Sequence, residues 1–318
     1  MQIDRRLLYA GVFLLAIGGV VVAADIGLLD TANLTDLLRL WPLALVAIGV
    51  GIVLRRTEIS LATGMLAAAV PGLLIGSAFA VAPRYECGGH GEPVSVAAER
   101  GTFEGPARVS VIAGCGTFVV TTAPGFDWEL TASNTASRAP TIETSARSLS
   151  IDSIGDDEWN FVSGGRNTWD LALPTTPLDT LSLELIGSRG NVALPDARVG
   201  RLILASNASD LVVDASGATF DELSGEVNVG SLSITLPADD DVVGSISLGA
   251  GALRLCRPPG VALRLTTDRE LGEVRVNGLE QTGSVWQSPD YTSAPHRADL
   301  DIELDFGSVE VDPIGGCK

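Results

Sequence analysis

Apolar and polar residues alternate with period two through most of the second half of the chain, and small residues break the alternation at regular intervals. Between Leu171 and Pro258 the pattern divides into four blocks, LALPTTPLDTLSLELIGSRGNVALP, DARVGRLILASNASDLVVD, ATFDELSGEVNVGSLSITLP and DDDVVGSISLGAGALRLCRP. Each block offers an alternating strand, a small-residue turn and a second alternating strand, usually closing on proline. Alternation of this kind marks strands with one buried face. The turn positions Gly190, Ser209, Gly230 and Gly251 lie 19, 21 and 21 residues apart. Related stretches surround Gly116 in Ala107–Pro124 and Gly307 in Ala298–Pro313, and a degenerate copy occupies Val261–Gly278. A two-strand unit cannot bury its apolar face alone, so such copies stack into one continuous core. The expectation is an all-β, β-solenoid-like repeat domain over residues 107–318. Residues 83–106, rich in Gly and Pro, read as a linker. Residues 126–168 and 279–298 interrupt the repeat and read mostly as loops.

The first 82 residues have a different pattern. Three apolar segments, at about residues 7–29, 37–54 and 59–82, are joined by an amphipathic link and by the polar Arg55–Glu58. Segments of this length can cross a bilayer as helices, and Pro71 is tolerable as a kink. A three-helix membrane anchor is therefore expected, with a cleaved signal peptide as the competing reading of the first segment. Arg5, Arg6, Arg55 and Arg56 fall on one side if the spans alternate, and positive charge favours the cytoplasm. This predicts a multi-pass protein of the plasma membrane with its C-terminal domain extracytoplasmic.

Charge sharpens the division. The net charge is −18. Residues 1–82 are balanced, so the excess lies in the repeat domain, which argues against nucleic acid and anionic lipid as partners. All four cysteines, Cys87, Cys115, Cys256 and Cys317, lie beyond residue 82. In an oxidising compartment they read as two disulfides whose pairing the sequence leaves open. No C-x-x-C spacing supports a metal site.

The chemical search is largely negative. No HExxH, GxSxG, P-loop or EF-hand pattern is present, and His90 and His296 lie in loop-like sequence. Asp156–Glu158 and Asp239–Asp241 read as solvated turns. A polysaccharide-acting enzyme would need two carboxylates about 5–10 Å apart on one face, and the strand interiors offer mainly apolar or Ser/Thr residues. No enzyme activity and no cofactor are expected. Trp286 and Tyr291, in SVWQSPDY, are candidates for an exposed contact surface, with Trp286 alternatively covering an open end of the stack.

The stretches GVFLLAIGG (Gly11–Gly19) and LWPLALVAIG (Leu40–Gly49) resemble the membrane region of LiaI/LiaF-like bacterial envelope proteins. The β-rich half, closing on FGSVEV (Phe306–Val311), resembles the toastrack domain that accompanies such anchors. The resemblance implies a non-enzymatic sensor or regulator of cell-envelope stress, acting through a membrane-protein partner such as a histidine kinase. The alternative is a surface-displayed adhesive or glycan-binding module merely tethered by its helices. The oligomeric state is not readable.

Overall fold

The computed structural model describes residues 91–154 and 165–317, together with short helical pieces at 11–16, 18–20, 23, 65, 68–70 and 72–73. The chain divides into two compact units, Met1–Glu86 and Cys87–Lys318.

In the first unit the structure corrects the expected anchor. Among the described residues no helix is long and apolar enough to cross a membrane. A span needs about 20 consecutive helical residues, more than any uninterrupted run of described residues in this unit contains. Apolar composition fixes the solvent a segment prefers and does not by itself establish a spanning helix. The membrane α-helical anchor, the multi-pass plasma-membrane localisation and the extracytoplasmic placement derived from it are therefore not supported. The remainder of the three apolar segments lies outside the described residues.

The second unit is all-β. One 14-stranded sheet carries, in spatial order, β1 (Val94–Thr102), β3 (Asp127–Asn134), β6 (Asn167–Pro174), β2 (Ala107–Ala123), β7 (Leu178–Ala193), β8 (Arg198–Asp214), β9 (Thr219–Thr235), β10 (Val242–Cys256), β14 (His296–Val311), β11 (Val261–Val276), β13 (Val285–Gln287) and β12 (Glu280–Thr282), with β4 (Thr141–Ser145) and β5 (Ser148–Asp152) joined beside β2. Its body is a parallel run of long strands: β2, β7, β8, β9, β10, β14 and β11. Parallel neighbours ordinarily need a crossover of a dozen residues or more. Here only residues 215–218 separate β8 from β9. The strand itself must therefore make the return. A rung of 21 residues has a contour of about 70 Å, yet each rung advances only about 4.8 Å to its neighbour. Each strand folds back on itself and its two halves face each other across the core, which is the geometry of a β-solenoid.

The bend is written in the burial pattern. In β8 the buried positions are Leu202, Leu204 and Ser206 before the bend, then Ser209, Leu211 and Val213 after it. The parity of the inward positions switches, as one extra residue in the alternation requires. The same switch separates Leu223 and Val227 from Leu232 and Ile234 in β9, and Leu300–Leu304 from Val309 and Val311 in β14. Both halves consequently aim their apolar residues into one core, where Phe118 and Trp169 meet edge to face at 6.0 Å.

The column at the bend runs Gly116–Ser188 and Ser209–Gly230–Gly251–Gly307–Gly272. Gly230 has φ of 118°, and a β-carbon there would land on the carbonyl oxygen of Ser209. Only glycine fits. In β8 the positive φ falls on Ala208, at 54°, and the serines bind locally: Ser188 N donates to Ser209 Oγ at 3.1 Å. Gly190 is not part of this column. It sits opposite Leu211, in a core position whose space is filled by the side chains of Leu185 and Leu211. The rungs thus repeat every 21 residues through Ser188, rather than after 19 through Gly190.

Several stretches expected as linker or loop are strands. β1 (Val94–Thr102) lies within the expected linker and pairs antiparallel with β3 (Asp127–Asn134). β3, β4 (Thr141–Ser145) and β5 (Ser148–Asp152) form within the expected insertion, β5 on the short alternation Ser148–Ile151, and β6 (Asn167–Pro174) begins at its end and runs into the first repeat block. β5 and β6 pair with successive halves of β2, making one split rung. The C-terminal strand β14 enters between β10 and β11, parallel to both. A clasp holds it there. Cys256 and Cys317 form a disulfide across 61 residues, and Arg257 pairs with Asp312 at 3.1 Å. Cys115 is disulfide-bonded as well, and Cys87 lies outside the described residues.

Candidate functional site

In the parallel stack equivalent residues of successive rungs lie side by side, so any surface property is displayed as a row. Three rows on the outer side of β9, β10, β14 and β11 stand out. The first is Ser224–Ser245–Asp301–Thr266, the second Glu226–Ser247–Glu303–Asp268, and the third Val229–Ala250–Phe306–Leu271. The β9, β10 and β14 members of the first two rows line a trough of about 230 Å³, which gathers Ser224, Ser245 and Ser247 with the carboxylates of Glu226, Asp301 and Glu303.

The third row stands at the bend, one residue before the glycine column. Val229, Phe306 and Leu271 are 54%, 65% and 68% exposed. The parity switch explains why. Residues beside the extra position belong to neither inward face, so their side chains project from the corner. Four rungs make this ridge about 14 Å long. Asp305 and Glu270 are the exposed chain neighbours of Phe306 and Leu271.

The carboxylates beside the ridge are crowded. Glu303 and Asp268 are direct lateral partners, and Asp301 stands two residues from Glu303 on the same strand face. Of these carboxylates only Glu226 has a side-chain donor among the described residues, Asn228 Nδ2 at 2.9 Å. Two arginines of β11 are engaged elsewhere, Arg264 with Asp299 at 2.6 Å and Arg275 with Glu273 at 2.7 Å. Arg269, paired with Leu304, is the remaining base near the ridge.

The residues singled out from sequence fall in another place. β12 (Glu280–Thr282) and β13 (Val285–Gln287) form a hairpin that returns antiparallel onto β11. Trp286 is half-buried there, opposite Leu265 and against the core. Tyr291 is only 8% exposed. Its hydroxyl donates to Asp299 Oδ2 at 2.6 Å, and Arg264 and Arg297 lie 5.1 and 6.0 Å from its ring centroid. Burial first, then the hydrogen bond to Asp299 and that carboxylate's charge, push the Tyr291 hydroxyl up to about 12. These contacts pin the hairpin segment to β11 and β14, so the two aromatics act here as fasteners.

Of the acidic clusters, Asp241 accepts from the backbone N–H of Arg297 at 2.8 Å, which ties the segment before β10 to the start of β14. Asp156–Glu158 lie outside the described residues. No group of three metal-ligating side chains is present among the described residues. Sequence reasoning missed the ridge because Val229, Phe306 and Leu271 read as ordinary alternating apolar residues. Their common position immediately before the repeat glycine was the available signal.

No family model and no curated protein matches the chain. Among solved structures, a provisionally named cell adhesion protein from Clostridium sporogenes is similar over 69% of this chain and 99% of its own, at 17% identity and a TM-score of 0.46. A provisionally named adhesin from Bacteroides fragilis covers 69% of this chain and 97% of its own, at 11% identity and a TM-score of 0.32. A provisionally named lipid-binding protein from Parabacteroides distasonis covers 71% and 98%, at 12% identity and a TM-score of 0.28. These likenesses concern β-rich architecture; none supports a LiaF-like identity.

Proposed function

We propose that the chain is a non-catalytic adhesive module, which holds a surface by contact with the outer side of β9, β10, β14 and β11. The observation that carries this reading is the exposed ridge of Val229, Ala250, Phe306 and Leu271 on a rigid hydrogen-bonded stack. Large apolar side chains this exposed and this regularly placed lower solubility unless something covers them. A solenoid holds them at fixed spacing, so binding orders few side chains. The disulfide Cys256–Cys317 locks the two strands nearest the ridge's centre, and such bonds persist where the surroundings are oxidising. The regulator reading required helical spans to meet a kinase, and nothing among the described residues favours that contact.

The test is retention of full-length protein on cells and on purified surface polymers of the source organism, with a parallel assay for reducing-end release. Saturable retention without release is expected. The trough's carboxylates make the enzymatic alternative concrete. Release of sugar ends that Glu303→Gln abolishes would replace this reading with a polysaccharide-cleaving enzyme.

A further inference from the structure

The ridge has a neighbour that selects what can cover it. Asp305 and Glu270 adjoin Phe306 and Leu271, and the exposed carboxylates of Glu226, Glu303 and Asp268 stand three residues, and Asp301 five, before the ridge on their strands. Neighbouring rungs are about 4.8 Å apart and alternate residues on one strand about 6.7 Å, so each of these charges lies within a Debye length of its nearest neighbours. Like charges directly opposite on adjacent strands are destabilising. Glu303 and Asp268 are in that relation, and neither has a salt bridge among the described residues.

Resting on the adhesive reading, we infer that the ridge and its acidic flank dock a basic polypeptide segment in which apolar or aromatic side chains alternate with lysine or arginine. An extended segment laid along the boundary sends alternate side chains to opposite sides. One set meets Phe306 and Leu271, and the other meets the carboxylate rows. Four rungs, about 14 Å, accommodate about five extended residues. A second copy of this chain brings the same acidic face and is repelled. A neutral glycan leaves the carboxylates' charge uncompensated, and an anionic one adds to the repulsion. A cationic, apolar-bearing chain satisfies both halves of the surface at once.

The probe is the labelled peptide Lys-Phe-Lys-Leu-Lys, capped at both ends, titrated with full-length protein by fluorescence anisotropy at low and high salt. Saturable one-to-one binding is expected, weakening as salt rises. Phe306→Ser with Leu271→Ser should weaken it by about tenfold or more. Asp301→Asn with Glu303→Gln should weaken it several-fold and flatten the salt dependence. Glu99→Gln with Glu129→Gln, at the other end of the stack, should leave it unchanged, and Glu-Phe-Glu-Leu-Glu should not bind. Absence of binding to the wild-type chain, or equal binding to ridge and distal variants, overturns the inference. If the chain still holds source surfaces and a neutral polysaccharide displaces it, the adhesive reading survives and the peptide partner falls. If it holds no surface, both fall.

Discussion

Single residues in this protein divide into those that serve the fold and those the fold would be better without. Tyr291 serves it. Its hydroxyl is the donor to Asp299, and its ring lies beneath two arginines. Tyr291→Phe removes one charge-assisted hydrogen bond and should cost about 1.5–3 kcal/mol, read as a lower midpoint in chemical denaturation. The pH dependence follows from the raised value of about 12. An unfolded tyrosine loses its proton near pH 10, so between about pH 10 and 12 the folded state holds more protons than the unfolded. Stability contributed by Tyr291 is therefore complete below about pH 10 and lost as pH rises toward 12. The Phe variant should lack that alkaline loss.

Glu303 is the opposite case. It stands directly beside Asp268 and within the acidic trough. Glu303→Gln should stabilise the free protein by about 0.2–1 kcal/mol, and added salt should narrow the gap between variant and wild type. A destabilised Glu303→Gln protein would mean that the carboxylates are not in mutual repulsion. Residues that weaken the resting protein are the ones whose presence needs a partner to explain it.

At the scale of the element, the rung is defined by its bend. Gly230→Ala places a side chain at φ of 118° and drives it into the Ser209 carbonyl. The cost should be about 3 kcal/mol or more, combining backbone strain with displacement of the neighbouring rung. Gly190→Ala meets only the tips of Leu185 and Leu211, which can rotate, and should cost about 1 kcal/mol. Thermal melts of the two variants test the assignment, and equal losses would contradict it.

The sequence carries this distinction only partly. The period of 21 is visible from Ser209 onward, because Ser209, Gly230 and Gly251 are all small residues with an apolar residue two positions on: Leu211, Leu232 and Leu253. In β7 that core position is itself glycine, so Gly190 mimics a bend residue and Ser188, the true one, is masked by it. β3 alternates cleanly, with Trp128, Leu130 and Ala132 buried, and was legible in DWELTASN, whereas β1 and β4 were illegible for a different reason. They lie at or near the margin of the sheet, where β4 is almost wholly exposed and β1 largely so, and exposure on both faces erases the alternation on which a reading depends. The outward ridge hid within that same alternation. Period two identifies which residues are apolar, and a bulge-like extra residue changes which way they point.

For the whole molecule, chain order and spatial order diverge at one place. β10 and β11 are consecutive in sequence, but β14 lies between them. The FGSVEV closing motif matches the register of its neighbours, with Gly307 opposite both Gly251 and Gly272, yet no local pattern tells a strand which gap it fills. That position depends on contacts across the chain, which local periodicity does not encode. The disulfide secures it. With 61 residues between Cys256 and Cys317, the chain-entropy model assigns about 4 kcal/mol to the cross-link. Cys256→Ser with Cys317→Ser should lower the melting midpoint and raise amide exchange first in β14, whereas unchanged exchange there would show that strand pairing alone holds the terminus.

The central claim is that the stack works by contact through its ridge. The most direct measurement is a retention isotherm of full-length wild type and of the Phe306→Ser, Leu271→Ser protein on surfaces of the source organism, with melting midpoints recorded for both. The account predicts matched midpoints and at least a tenfold loss of retention in the variant. Undiminished retention in a folded variant would contradict it and move the contact surface elsewhere on the molecule.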